Sequence, residues 1–347
     1  VQWRSLSPTA SPPARYGHAL AYDEHRRRLV LFGGRDAASG ARLADTWELH
    51  GETWVEVTTP SAPAPRDGHG LAYDPARRRT LLFAGETDSG LSAELWQYDG
   101  QDWAPLTVGN LPPSPRRDMT VYYDHGEESL VAFGGWDGAA VLGDLWFLSA
   151  NSWVVRGFGN SKPKRTAHAM TYSRVRRVAY LVGGVHTDGT VTDDLWTYTP
   201  NNFSGVSPAF LPSANRGVHL AWDSHRRQVF RYGGLGVNDD DTWVFDLTHW
   251  RELFPANTAG KRDTGAMVYD AARREMVLFG GREGGVSYDT TATWDGSDWT
   301  VILTDPAPEA RHAHAMVWDS QRERVVLFGG QGATLLDDTW EWDGVDW

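Results

Sequence analysis

Seven times along the chain an apolar run ends in two small residues, six times as a glycine pair. The first is Leu29-Val30-Leu31-Phe32-Gly33-Gly34. The others are TLLFAG (80–85), LVAFGG (130–135), AYLVGG (179–184), VFRYGG (229–234), MVLFGG (276–281) and VVLFGG (325–330). Four apolar residues in a row read as a buried strand. Adjacent glycines pack nothing and cost backbone entropy, so a demand that recurs with the fold must keep them. Each ending follows a strand-like segment: RYGHALAYD (15–23), RDGHGLAYD (66–74), RRDMTVYYD (116–124), RTAHAMTYS (165–173), NRGVHLAWD (215–223), RDTGAMVYD (262–270) and RHAHAMVWD (311–319). Successive starts lie 51, 50, 49, 50, 47 and 49 residues apart. After each ending come a polar loop, a motif such as DTWELHGETW (45–54), and a Pro-rich connection such as TTPSAPAP (58–65).

One unit therefore holds four short strands, here a to d. Strand a opens with Arg, b ends in the glycines, c carries the first Trp and d begins at the second. Asp-x-x-Arg marks the a–b turn, and Asp-Gly or a relative marks c–d. No segment keeps a helical period. A four-stranded unit of this length is the mark of a β-propeller blade. Gln2-Trp3-Arg4-Ser5-Leu6 copies Thr53–Val57 and reads as a strand d without its a–c. The last unit stops at Trp347, where its own d should begin. The expectation is an all-β, seven-bladed β-propeller of four-stranded antiparallel blades, one domain over 1–347. The N-terminal strand completes the last blade and covers its open edge.

The unit resembles a Kelch repeat: a first strand opening with Arg and often carrying His, the double glycine, an aromatic in strand c, and the Trp of strand d. The resemblance covers essentially the whole chain. WD repeats fit poorly, because Trp-Asp pairs have no fixed place here. Kelch propellers bind partners through their b–c and d–a loops, so the resemblance implies a binding face there. Galactose-oxidase relatives use copper with two Tyr, two His and a Tyr–Cys crosslink. This chain has no Cys, so that cofactor cannot form.

The repeat supplies its own control. A residue type held at one position in most units belongs to the scaffold; one that departs is a site candidate. Of 18 Trp, six lie in strand c (Trp47, Trp96, Trp146, Trp196, Trp243, Trp340). Six start strand d (Trp54, Trp103, Trp153, Trp250, Trp299, Trp347), with Trp3 their N-terminal equivalent. Trp222, Trp318, Trp294 and Trp342 replace other core residues. All 17 read as packing between blades. Trp136 alone is off the pattern. His18, His69, His168 and His314 share one position and read as scaffold. His219 stands where other units have small residues, which points to a lining position or a register shift. Arg15, Arg66, Arg116, Arg165, Arg262 and Arg311 open strand a, and Asp45, Glu94, Asp144, Asp194, Asp241 and Asp338 precede the strand c Trp; Arg and acid are expected to pair within a unit, and arginines left far from their acids would instead form a ligand site. Unit five has Asn215 in place of its Arg, and unit six has Thr290 in place of its acid. The glycines are read as freeing the backbone where aromatics crowd the end of strand b.

Two variable positions mark the binding face. The residue after the glycines is Arg35, Glu86, Trp136, Val185, Leu235, Arg282 or Gln331. The residue after the strand a Arg is Tyr16, Asp67, Arg117, Thr166, Arg216, Asp263 or His312. His186, His219 and Glu283 join them as ligand-binding candidates. The function expected is a non-catalytic interaction module that takes a protein or glycan at the channel mouth. The alternatives are a carbohydrate-active hydrolase or lyase at the same mouth, and a structural propeller of a larger protein. For the hydrolase, Glu86 or Glu283 would pair with Asp67 or Asp263.

Composition narrows the partners. A net charge of −12 argues against nonspecific nucleic-acid binding, and no apolar stretch approaches the roughly 20 residues of a membrane span. No cofactor is expected. Asn238-Asp239-Asp240-Asp241 and Asp193-Asp194 could hold Ca²⁺, though they lack the spacing of a Ca²⁺ loop. A monomer in an extracellular or periplasmic setting is expected, with Val1 following a removed leader or a boundary in a longer chain.

Overall fold

The structure, a computed structural model, describes residues 4–6, 10–155, 164–199, 202–208, 210–236, 240–303 and 307–344. Trp3, Trp347, Asn238 and Asp239 lie outside them. The described residues form seven four-stranded antiparallel sheets and no helix. They group into two compact units, Pro8–Thr166 and Val1–Ser7 with Ala167–Trp347.

In the unit 8–166 the first sheet runs Ala19–Asp23, Arg28–Phe32, Thr46–His50, Thr53–Val57. The next two sheets, of repeats two and three, repeat that order. Strand b is deeply buried: it is flanked by strands on both sides, as c is, and its apolar run also has no polar face to turn outward. Side chains of adjacent sheets share one core: Val30 and Phe32 of the first pack with Leu82, Tyr98 and Trp103 of the second. The Trp103 ring lies edge-on to Phe32, with centroids 5.1 Å apart, and its Nε1 donates to Thr46 Oγ1 at 2.8 Å. Strand d Trp therefore ties one repeat to the one before, as the sequence implies.

The other unit holds the sheets of repeats four to seven. Phe230 and Tyr232 pack on Trp294 and Trp299 of the next sheet, and Trp299 Nε1 donates to Thr242 Oγ1 at 3.0 Å. Its last sheet joins Ala315–Asp319, Arg324–Phe328 and Thr339–Trp342 to Arg4–Leu6, in the register Arg4–Glu341, Ser5–Trp340, Leu6–Thr339. The N-terminal segment is thus the fourth strand of the last sheet.

Strand a is shorter than the sequence suggests. Residues 15–23 form two pieces: Arg15–Tyr16 pairs with Arg35–Asp36, and Ala19–Asp23 pairs with strand b. Gly17 separates them at φ 65°, and every repeat has a left-handed residue there. Successive ones hydrogen-bond: Gly68 N–H donates to Gly17 O (3.0 Å) and Asp118 N–H to Gly68 O (2.9 Å). In the other unit Gly217 donates to Ala167 and Ala313 to Thr264.

The glycine pair has a backbone cause. Gly33 and Gly34 have φ of 59° and 97°. Gly34 N–H donates to Arg66 O of the next repeat at 2.9 Å. A Cβ on Gly33 would sit 2.8 Å from that same carbonyl, and one on Gly34 would sit 2.8 Å from Tyr16 O. The crowding atoms are therefore carbonyls, and among side chains the shared-position histidines, rather than bulky aromatics. The same donation recurs from Gly85 to Arg116 and from Gly281 to Arg311, each at 2.9 Å. Ala84 occupies the first position at φ 63°.

Candidate functional site

The Arg that opens strand a is fixed before any ligand enters. Arg15 donates to Gly33 O at 2.9 Å and makes a two-pronged pair with Asp45, each contact 2.6 Å. Trp47 Nε1 holds the second oxygen of Asp45 at 2.7 Å. Arg116 repeats this with Asp144 at 2.6 and 2.7 Å, and Arg311 with Asp338. Arg66 takes Glu94 through one contact of 2.5 Å. These arginines have no solvent exposure, so burial is offset by a charge-assisted pair and a carbonyl. The expected pairing holds in these four repeats. In repeat five Asn215 Nδ2 reaches Gly233 O at 3.4 Å, and a guanidinium is supplied from strand b instead, by buried Arg231. Strand b is otherwise apolar at that position, so Arg231 was the visible signal of the exchange.

With that scaffold set, the two variable positions fall opposite each other. The register pairs Tyr16 with Arg35, Asp67 with Glu86, and Arg216 with Leu235. Single bridges pair Arg117 with Trp136, Asp263 with Arg282, and His312 with Gln331. Each of these six repeats thus ends in one rung of two unlike side chains, set by the short ladder beyond the left-handed residue.

In the unit 8–166 three rungs join through charge. Arg42, on the b–c loop, donates through Nε to Asp67 Oδ1 at 2.6 Å and pairs with Glu86 and Asp88 at 2.9 Å each. Arg35 meets Asp67 at 3.1 Å and Arg117 meets Glu86 at 3.3 Å. The Arg117 guanidinium lies over the Trp136 ring, 4.9 Å from its centroid. Desolvation opposes the Arg42 cation, but Asp88, Asp67 and Glu86 outweigh it and raise its pKa. Sequence reasoning passed over Arg42, which holds no repeated position. Asp67 and Glu86, a possible carboxylate pair for hydrolysis, are bridged by Arg42 rather than set across an open gap.

In the other unit Arg282 meets Asp263 at 3.5 Å, and its Nη1 lies 3.5 Å from His312 Nε2. Ser287 Oγ contacts His312 Nδ1 at 3.0 Å. Burial, then the Arg282 charge, pushes the His312 imidazole down. Glu283 accepts from Tyr288 OH at 2.9 Å. His186 closes its own loop, with N–H to Thr190 O at 2.9 Å. Gln331 and Arg216 are exposed on their rungs.

His219 does not join them. It is 4 % exposed, and its partner across strand b is Tyr232, as Phe32 is for Ala19, so no register shift has occurred. Its ring faces Gly265, where a Cβ would lie 3.0 Å from Nε2. Position 265 is where other repeats have His, so His219 fills the space of a missing neighbour. Burial drives its pKa down to about 4. Among the described residues no three His, Asp or Glu side chains gather to hold a metal ion.

Like sheets that differ chiefly at paired loop positions are the build of a repeat scaffold. The chain belongs to the Kelch-repeat family: the KLHDC2/KLHL20/DRC7 Kelch-repeats domain matches residues 1–184, 48–234 and 167–347. Such domains typically serve protein interaction. The chain is 48% identical over 59 residues to Dynein regulatory complex subunit 7 of Chlamydomonas reinhardtii, covering 16% of this chain and 5% of that protein. It is 32% identical over 94 residues to Adagio-like protein 3 of Oryza sativa subsp. japonica, 26% of this chain and 14% of that one. It is also similar in fold to the solved structure of YjhT, with TM-score 0.58 and 14% identity over 85% of this chain and 99% of that one.

Proposed function

We propose that the chain is a non-catalytic interaction module that grips a protein partner on its paired b–c and d–a positions. The observation that carries this is the run Arg35–Asp67–Arg42–Glu86–Arg117–Trp136. It offers both signs of charge and one cation-stacked indole on a rigid base. Arg and Trp are the side chains that most often dominate protein interfaces. A relative named as a subunit of a regulatory complex supports a protein over a small molecule. Arg42 bridges Asp67 and Glu86, which favours binding over hydrolysis at that pair.

The test is selection of binders from a displayed peptide library, then titration of the winners against Arg42→Ala and Trp136→Ala. Each substitution is expected to weaken binding by about tenfold or more. Peptides that bind both variants as tightly as the parent would remove this face from the function. Selective hits on a glycan array, lost in Trp136→Ala, would transfer the same face to a sugar.

A further inference from the structure

The turn between strands a and b ends in a left-handed residue in every repeat, and in five of them it is arginine: Arg27, Arg78, Arg177, Arg227 and Arg274, with φ from 55° to 64°. Glycine takes that conformation without strain; arginine does not. All five side chains are exposed. Among the described residues their guanidinium groups make no ion pair, and only Arg274 meets a neighbour, with Nη1 lying 3.5 Å from His225 Nε2. The arginine just before each behaves otherwise. Arg26, Arg77, Arg226 and Arg273 pair with Asp23, Asp74, Asp223 and Asp270 at 2.6–3.0 Å. Repetition alone would assign both arginines to the scaffold. The first braces its turn; the second braces nothing, at a position that costs the backbone strain.

In the unit of repeats four to seven, three such tips follow one another. Strand a of repeat five packs beside those of repeats four and six. Arg226 Nη1 donates to Arg274 O at 2.9 Å, which holds the tips of repeats five and six together. Repeat four departs from its siblings. Ser173 stands in place of the turn Asp; its Oγ still accepts the Arg176 N–H, at 3.3 Å, but brings no charge. Among the described residues no carboxylate pairs with Arg176, which is exposed beside Arg177. The acids nearby are already engaged. Asp223 and Asp270 each hold two turn N–H groups and one Arg. Asp246 and Asp295, on the neighbouring c–d turns, hold N–H groups of those turns, and Asp298 holds Asn257. Glu275 is half-buried, and burial, then the Asp270 and Asp295 charges, pushes its carboxyl up. A chain of net charge −12 thus presents, on three adjacent tips, guanidinium groups that its own acids leave open.

We propose that the a–b tips of repeats four to six form a second docking face, for an acidic peptide segment of a partner protein, with Arg177, Arg227 and Arg274 as its contacts and Arg176 beside them. Guanidinium and carboxylate match in geometry as well as charge. Separate exposed cations on successive tips suit successive Asp and Glu side chains of an extended segment. The net charge opposes a nucleic acid or an anionic bilayer, which must approach the whole molecule; a short peptide meets the tips alone. The b–c loops lie at the other end of strand b, so this face stands whether or not those loops hold a partner.

The test is fluorescence anisotropy of the whole chain with a labelled, alternating Glu–Asp decapeptide, against its Gln–Asn counterpart. Saturable binding of the acidic peptide alone is expected, weaker as salt rises because exposed charges are screened. Arg177→Gly, Arg227→Gly and Arg274→Gly combined should weaken it at least about tenfold. Tm of that variant should equal or exceed the parent's, because glycine relieves the left-handed strain; a lower Tm would return these arginines to the scaffold and overturn the proposal. So would no saturable binding, equal binding of the neutral peptide, or unchanged affinity in the triple variant. Loss of the peptide in Trp136→Ala would move it to the b–c loops, and binding to phosphatidylserine vesicles without binding to the peptide would move the face to a membrane; either result overturns the proposal as well.

Discussion

A single β-carbon decides whether two repeats can join. At Gly34 it would meet a carbonyl at 2.8 Å in a backbone with φ 97°; at Gly40, with φ 71°, nothing lies within 4 Å. Both substitutions to Ala incur left-handed strain of about 1 kcal/mol or more. Only Gly34→Ala adds a clash with backbone that cannot swing aside and strains the segment whose N–H reaches Arg66. We expect Gly34→Ala to lower unfolding free energy by about 3 kcal/mol and Gly40→Ala by about 1 kcal/mol, measured by urea titration. Equal losses would show that the steric contact is relieved cheaply. The glycines were legible in the sequence because they recur; their cause was not, since neither Arg66 O nor Tyr16 O carries a side-chain signature. Thr290 and Trp136 were legible as departures from a repeat. Arg42 and Tyr288 were not, because loops of unequal length have no repeat to depart from.

Within one sheet the element that matters is the tie between strand a, the end of strand b and the start of strand c. The indole of strand c holds the acid, the acid holds the Arg, and the Arg holds the glycine carbonyl. Removing the acid leaves a buried guanidinium with no counter-charge. Asp144→Ala should therefore cost about 3–5 kcal/mol. Glu94→Ala should cost less, because Glu94 makes one contact with Arg66 from a side chain 54% exposed and solvent already screens it. Thermal unfolding of both variants checks the order; a Glu94→Ala loss as large as that of Asp144→Ala would contradict it. Strand count and order followed from the alternation of apolar runs with turn signals. The splitting of strand a did not, because a left-handed Gly17 looks like any glycine until its neighbours' carbonyls are placed.

At the scale of the molecule, the shared-position histidines make stability depend on pH. Burial, then the adjoining Arg66 or Arg311 charge, lowers the pKa of His69 and of His314 to about 3, against 6.5 when unfolded. The folded state binds the proton less well. The contribution is therefore complete above pH 6.5 and is lost as pH falls toward 3. By pH 5 each imidazole should have removed about 2 kcal/mol. Repeat three already has Met119 at this position, so His69→Met is a tolerated shape. It should shrink the stability difference between pH 7 and pH 5 by about that amount, read by urea unfolding at both values. An unchanged difference would mean that the imidazole is not held neutral.

The backbone bonds between successive repeats also have a direction. The glycine after strand b donates forward to the next repeat, and the left-handed residue after the opening Arg accepts from it. Each repeat therefore presents two unlike edges, one complementary to the other. A duplicated repeat carries both halves of its own joints. Copy number in such a chain can change by whole units without any new interface being invented, while the paired loop residues of each copy are left free to diverge.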